Sequence, residues 1–365
     1  MSNVSLRVRT IVNLLLVGTV GVFLSAMPST ATSQVHGIID VHEHVASGTA
    51  VARLKASMDR AGVQVACLVG SGRYTLRNVD SEPLTDFEHN NEVLLTAKKA
   101  WPGRFLAFVA IDISQSDALD QIRTYVSRGA DGIKLYSGHG GVHPNGQQYH
   151  SIKLDSEQLD ALWGWLEDTQ LPVVLHVNLQ RFWYEFFAVV EQFPYLRLNV
   201  PHFGVYRYSV QELRRLSFLL TRYPNIYSDI SSGAPEVMLQ DFLVMSSKVE
   251  EFRAFALTNR DKLLFGADMV VQDTSSHMML DGTFNAYRDL VVADSFRVIS
   301  FPDESFRGLA LSDVAAERVF RGNAVRWLQL DERGGSPRRD KEGFVGGKQA
   351  SVRTPLPPIL PGQRP

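Results

Sequence analysis

Hydrophobic residues in this chain fall into short unbroken runs separated by longer stretches in which they recur every three or four positions. The runs are 37–44, 63–69, 104–111, 132–136, 173–176, 196–202, 226–230 and 262–268, rich in Val, Ile, Leu and Phe. Such runs predict strands buried on both faces. The periodic stretches predict helices near 51–61, 86–100, 117–128, 156–169, 181–192, 210–223 and 249–257. Asp155, with Gln158 three residues later, reads as the N-cap of the fourth of these. Strands alternating with helices imply right-handed βαβ units and a parallel sheet. Eight units in about 250 residues predict an α/β fold closed as a single-domain (β/α)8 TIM barrel. A doubly wound open sheet is the alternative, but the first turn lacks the Gly-x-Gly-x-x-Gly of a dinucleotide-binding sheet.

The two ends of the 365-residue chain follow neither pattern. Arg7 and Arg9 precede an apolar run from Ile11 to Leu24, then small residues up to Ala31. That order predicts an export signal over 1–31, cut after Ala31 or alternatively Ala26. The run is short for a membrane span, so the mature protein is expected to be secreted or periplasmic and free of the membrane. The barrel is expected over 32–330, followed by a disordered Gly- and Pro-rich tail over 331–365. A formal net charge of −2 offers no electrostatic reason to expect nucleic acid. Cys67 is the sole cysteine, which excludes an internal disulfide and predicts an inert core thiol.

Chemistry concentrates at the strand ends. Asp40-Val41-His42-Glu43-His44 closes the first run, and alternate strand positions share a face, so both imidazoles would point the same way. His176 ends the fifth run, His202 the sixth and Asp268 the eighth. In a barrel these ends converge on one mouth. An imidazole or carboxylate finishing a buried strand without a partner costs a few kcal/mol, a difficulty a shared metal removes. A divalent ion with an open coordination position would also activate water and polarise a substrate oxygen. Lys134 lies on the fourth run. Arg73, His139, His143, Arg181, Tyr206 and Arg207 follow strand ends, where guanidinium groups could pair with a substrate carboxylate. His36, His89, His150 and His277 lack such a context and are read as structural.

The segments Ile39-Asp40-Val41-His42-Glu43-His44, Val174-Leu175-His176, Val200-Pro201-His202-Phe203-Gly204, Leu264-Phe265-Gly266-Ala267-Asp268 and Arg321-Gly322-Asn323-Ala324 together resemble the amidohydrolase superfamily. Within it they look like amidohydrolase family 2, which includes the aminocarboxymuconate-semialdehyde decarboxylase group. The resemblance covers about 37–330. It implies that His42, His44, His176 and Asp268 hold one divalent metal, zinc in the first instance and manganese as the alternative. It also implies that His202 serves beside that metal as base or electrophile, and that Asp268 can take a proton while ligating. In binuclear members a carboxylated lysine in the place of Lys134 bridges two metals; here Lys134 is expected instead to bind substrate, with Arg73, His139, Arg181 and Arg207.

The expected activity is therefore metal-dependent hydrolysis of an amide, ester or lactone. Non-oxidative decarboxylation of an unsaturated or aromatic acid is the second enzyme reading, and a non-catalytic ligand-binding barrel the third. A small-molecule substrate, carboxylate-bearing in the decarboxylase reading, is the expected partner. Self-association into a homo-oligomer is left open.

Overall fold

The computed structural model describes residues 37–72, 75–76, 86–137, 152–205, 209–233 and 235–331. The expected signal, the tail beyond Asp331, the segment 138–151 and residues Arg73, His139, His143, Tyr206 and Arg207 lie outside the described residues, as do His36 and His150. The elements are β1 (Ile38–Val45), α1 (Gly48–Ala61), β2 (Val63–Val69), α2 (Glu88–Ala100), β3 (Phe105–Ala110), α3 (Ala118–Ser127), β4 (Gly132–Ser137), α4 (Asp160–Thr169), β5 (Val173–Val177) and α5 (Leu179–Gln192). They continue with β6 (Leu198–Asn199), α6 (Val210–Arg222), β7 (Ile226–Asp229), α7 (Pro235–Ser247), α8 (Val249–Thr258), β8 (Leu263–Leu264), β9 (Val270–Val271), α9 (His277–Val292), the hairpin β10–β11 (Ser295–Val298, Phe301–Arg307), α10 (Asp313–Glu317) and α11 (Asn323–Leu328). Among the described residues no helix is long and apolar enough to cross a membrane.

The parallel strands run in the order β8-β7-β6-β5-β4-β3-β2-β1-β9. Only five residues separate β8, paired with β7, from β9, paired with β1. One stretch of chain therefore lies at both ends of the sheet, and the sheet closes on itself. This is the (β/α)8 TIM barrel, in one domain. The expected eighth strand over 262–268 is thus shortened to Leu263–Leu264, with β9 following just beyond it. Across the gap Val41 N donates to Phe265 O at 2.9 Å and Asp268 N to His42 O at 2.7 Å. Phe265 N turns away to Val319 O, and Asp268 has a left-handed φ of 53°, which breaks the regular ladder.

Local signals explain most elements. In α1, Ser47 Oγ accepts from the backbone N–H groups of Thr49 and Ala50, and Gly62 ends the helix at φ 76°. Its buried Ala50, Val51, Leu54 and Met58 face the sheet. In α6, Ser209 and Glu212 form a reciprocal capping box. Asp155 does not cap α4: a short 3-10 turn over Glu157–Leu159 intervenes, and the helix begins at Asp160 without a side-chain cap. The sixth strand is shorter than its hydrophobic run, because Pro201 lacks the N–H a ladder needs and His202 enters a 3-10 turn with φ 59°.

Two apolar layers result. One lies between sheet and helices. The other fills the barrel, with Ile39, Val41, Val65, Cys67, Phe108, Val174 and Trp327. Cys67 is fully buried there, as its run predicts.

Candidate active site

β1 delivers its histidines through an irregularity invisible in its spacing. Asp40 pairs with Ala66 but Glu43 with Leu68, so three steps on β1 match two on β2. The extra residue is a bulge. It brings His42 and His44 to the interior face that Ile39 and Val41 already occupy. Asp40 fastens the bulge: Oδ1 accepts His42 N at 2.8 Å and Oδ2 accepts Ala267 N at 3.2 Å. Asp40 is thus a buried structural carboxyl, pushed up to about 8 by burial. Burial and the Asp40 charge hold the neighbouring Glu43 carboxyl well above its ordinary range.

Three imidazoles converge on one carboxylate. His42 Nε2 and His44 Nε2 lie 3.4 and 3.0 Å from Asp268 Oδ1, while His202 Nε2 lies 3.5 Å from Oδ2. Each ring is held from behind through Nδ1. His42 Nδ1 meets Asp229 Oδ2 at 3.1 Å, His44 Nδ1 meets Val69 O at 2.8 Å, and His202 Nδ1 meets Ser231 O at 3.2 Å. Val69 O and Ser231 O are carbonyls and Asp229 is a carboxylate, so these contacts place the proton on Nδ1 in each neutral ring. The Nε2 lone pairs then face the acceptor-only oxygens of Asp268. An inward cluster of lone pairs without protons between them suits a cation. His42, His44 and Asp268 bring one donor atom each within 4.8 Å of one another, as do His42, His202 and Asp229.

His176 reaches the same mouth from β5 but stands outside both tight groups. Its ring centroid is 5.0 Å from that of His202 and 6.0 Å from that of Tyr136, and it is half-buried. Lys134, fully buried on β4, places Nζ 3.2 Å from His42 Nε2 and 4.8 Å from the Tyr136 ring centroid. Burial lowers its ammonium to about 8, against the pull of Asp268 and Asp229. Arg181 is exposed on the first turn of α5, where the Asn178 side chain caps its backbone N–H.

Burial alone would raise Asp268, but positive charge on His42, His44 and His202, with a hydrogen bond from His44 once it is protonated, would hold its carboxyl far below the usual range. Burial lowers His44 despite Asp268. Gly233, at φ 89°, leaves room for this carboxylate: a Cβ there would come within 3.0 Å of Asp268 Oδ2.

Sequence reasoning missed the groups behind the histidines. Asp229 ends β7 as Asp268 ends the eighth run, and that shared position was the available signal. Ser71 Oγ contacts His44 Nδ1 at 2.8 Å and Tyr136 OH at 2.7 Å, and no motif marks either residue. His89 sits on α2, and His277 Nδ1 accepts from Arg60 at 3.1 Å, both outside the cluster.

The barrel and its strand-end cluster define an amidohydrolase-type enzyme. The family model described as amidohydrolase matches residues 39–330, and the chain belongs to that family. Solved structures with the same fold include a 2,6-dihydroxybenzoate decarboxylase from Rhizobium, 16% identical with a TM-score of 0.50, covering 81% of this chain and 99% of that one. Another is a putative 2-pyrone-4,6-dicarboxylic acid hydrolase from Pseudomonas putida, 18% identical at 0.51, covering 80% and 98%. A 4-oxalomesaconate hydratase from Rhodopseudomonas palustris is 13% identical at 0.50, covering 80% and 95%. At such identities the likeness concerns the fold. None of the curated proteins matches the chain by sequence.

Proposed function

We propose that the chain is an exported metal-dependent hydrolase of an amide, ester or lactone bond. One observation carries this reading: three imidazoles, each engaged through Nδ1, turn Nε2 toward a single buried carboxylate. His42, His44 and Asp268 Oδ1 would hold a divalent ion, zinc or alternatively manganese, with His176 completing the set. Bound there, the ion would supply an activated water and a polarised substrate oxygen. The two oxygens of Asp268 divide the work. Oδ1 belongs to the donor group, while Oδ2 faces His202, so a proton released at this point can pass to Asp268 Oδ2 or His202 Nε2. The Lys134 ammonium, 3.2 Å from His42 Nε2, would bind an anionic substrate group.

That buried cation also supports a second reading, decarboxylation of an unsaturated or aromatic acid. All three neighbours are named for carboxylated compounds: dihydroxybenzoate, a pyrone dicarboxylic acid and oxalomesaconate. Export rests on the N-terminal sequence pattern and favours hydrolysis. The test is to purify the mature protein, measure its metal, and screen lactones, amides and aromatic acids. The expected result is about one equivalent of zinc or manganese and turnover that chelation abolishes and metal restores. Full hydrolytic activity without metal would overturn the proposal, and released carbon dioxide in place of consumed water would select the second reading.

A further inference from the structure

We propose that Asp229 is a positioning residue whose two oxygens separately set the tautomer of His42 and the pose of His202. This rests on the site reading above. Asp229 is fully buried at the end of β7. Its Oδ2 takes His42 Nδ1 at 3.1 Å and the Asn199 amide at 2.8 Å. Its Oδ1 accepts His202 N and Ser231 N, both at 3.1 Å, and the Ser231 hydroxyl. Ser231 Oγ in turn lies 2.9 Å from His202 Nδ1. One carboxylate thus reaches two of the three imidazoles that face Asp268.

His202, Phe203 and Gly204 all have positive φ, at 59°, 52° and 64°, costly for the first two residues. The bond from His202 N to Asp229 Oδ1 holds the first of these. A carboxylate used only to join strands could be replaced by an amide at modest cost. Here the two sides make different demands. Two backbone N–H groups at Oδ1 are donors that cannot change role, so an Asn at this position must turn its oxygen to them. Its NH2 then faces His42 Nδ1, which can accept only by moving its proton to Nε2. The nitrogen aimed at Asp268 would carry a hydrogen and lose its lone pair.

The test is nitrogen-15 NMR of the imidazoles in metal-free protein, with zinc affinity by chelator competition, for wild type, Asp229→Asn and Ser231→Ala. Wild-type His42 is expected as the Nδ1–H tautomer and Asp229→Asn as Nε2–H, with zinc bound about 10–100-fold more weakly. Ser231→Ala removes the 2.9 Å contact to His202 Nδ1 and only a marginal one, at 3.5 Å, to His42 Nδ1: turnover should fall while zinc affinity and the His42 tautomer stay at wild-type values. A folded Asp229→Asn with wild-type tautomer and affinity would overturn the proposal. If that variant does not fold, wild-type His42 found as Nε2–H overturns it equally. Wild-type protein that takes up no metal yet shows the Nδ1–H tautomer would sink the metal reading and leave the positioning role standing.

Discussion

The two ends of the barrel are built from opposite materials. At the closed end α11 plugs the strands with Trp327, stacked on Phe108 at 5.5 Å between centroids. The polar groups there bond to backbone: Arg197 donates to Trp327 O at 2.8 Å, and Asn323 Nδ2 to Leu263 O at 2.6 Å. At the open end the buried space holds imidazoles, carboxylates and an ammonium. Apolar burial and hydrogen bonds to backbone carbonyls, those of the Arg197 guanidinium among them, stabilise the first end without a ligand. The second carries desolvated charge that is satisfied only by its neighbours or by a ligand. One end secures the fold and the other stores the chemistry, the division expected of this architecture.

The sharpest way to break that contrast is at the open end. His202→Ala should lower turnover by about 10²–10⁴-fold while metal content and thermal midpoint stay near wild type. His176→Ala should lose metal and turnover together. Equal metal loss in both variants would erase the proposed division between base and ligand.

At the closed end Trp327→Ala should cost about 3–5 kcal/mol of stability in urea titrations. Metal affinity of the protein still folded should be unchanged, since distant sites act additively. A cost below about 1 kcal/mol would show that the plug is not part of the core.

The smallest effect sharpens the comparison through pH. Lys262, beside the closed end, is lowered to about 8 by burial and by Arg326. Its folded value lies below its unfolded one of 10.5, so the folded state carries a penalty below about pH 8 that disappears as pH rises toward 10.5. Wild-type stability should therefore climb through that window, and Lys262→Met should climb less. Denaturant midpoints at both pH values check this, and identical slopes would refute it.

The strand runs were legible because parallel strands buried on both faces leave unbroken apolar stretches, and β2 matches its run from end to end. His42, His44, His202 and Asp268 were legible because polar residues ending such runs stand out. The shortening of the eighth strand was not, since it depends on β1 and on Val319, distant in sequence. Nor was the bulge at Asp40–Glu43, which appears only in the register with β2. Asp229 escaped because it lies inside the seventh hydrophobic run, before Ile230, rather than at its end. Helices α7 and α9 and the hairpin β10–β11 lie in stretches that the alternation of eight units did not assign.

The seam between β8 and β9 has a kinetic meaning. Ala267 and Asp40 meet there across 227 residues of sequence. Contacts between such distant segments are the slowest to form, because nearly the whole chain must be ordered before they can be made. Asp268 and His42 stand on opposite sides of that seam. The donor set is therefore complete only once the first and last strands have met, and an ion held between them would act as a latch on the finished barrel. The site then reports on folding as much as it serves chemistry: a chain that has not closed would lack the complete donor set for an ion.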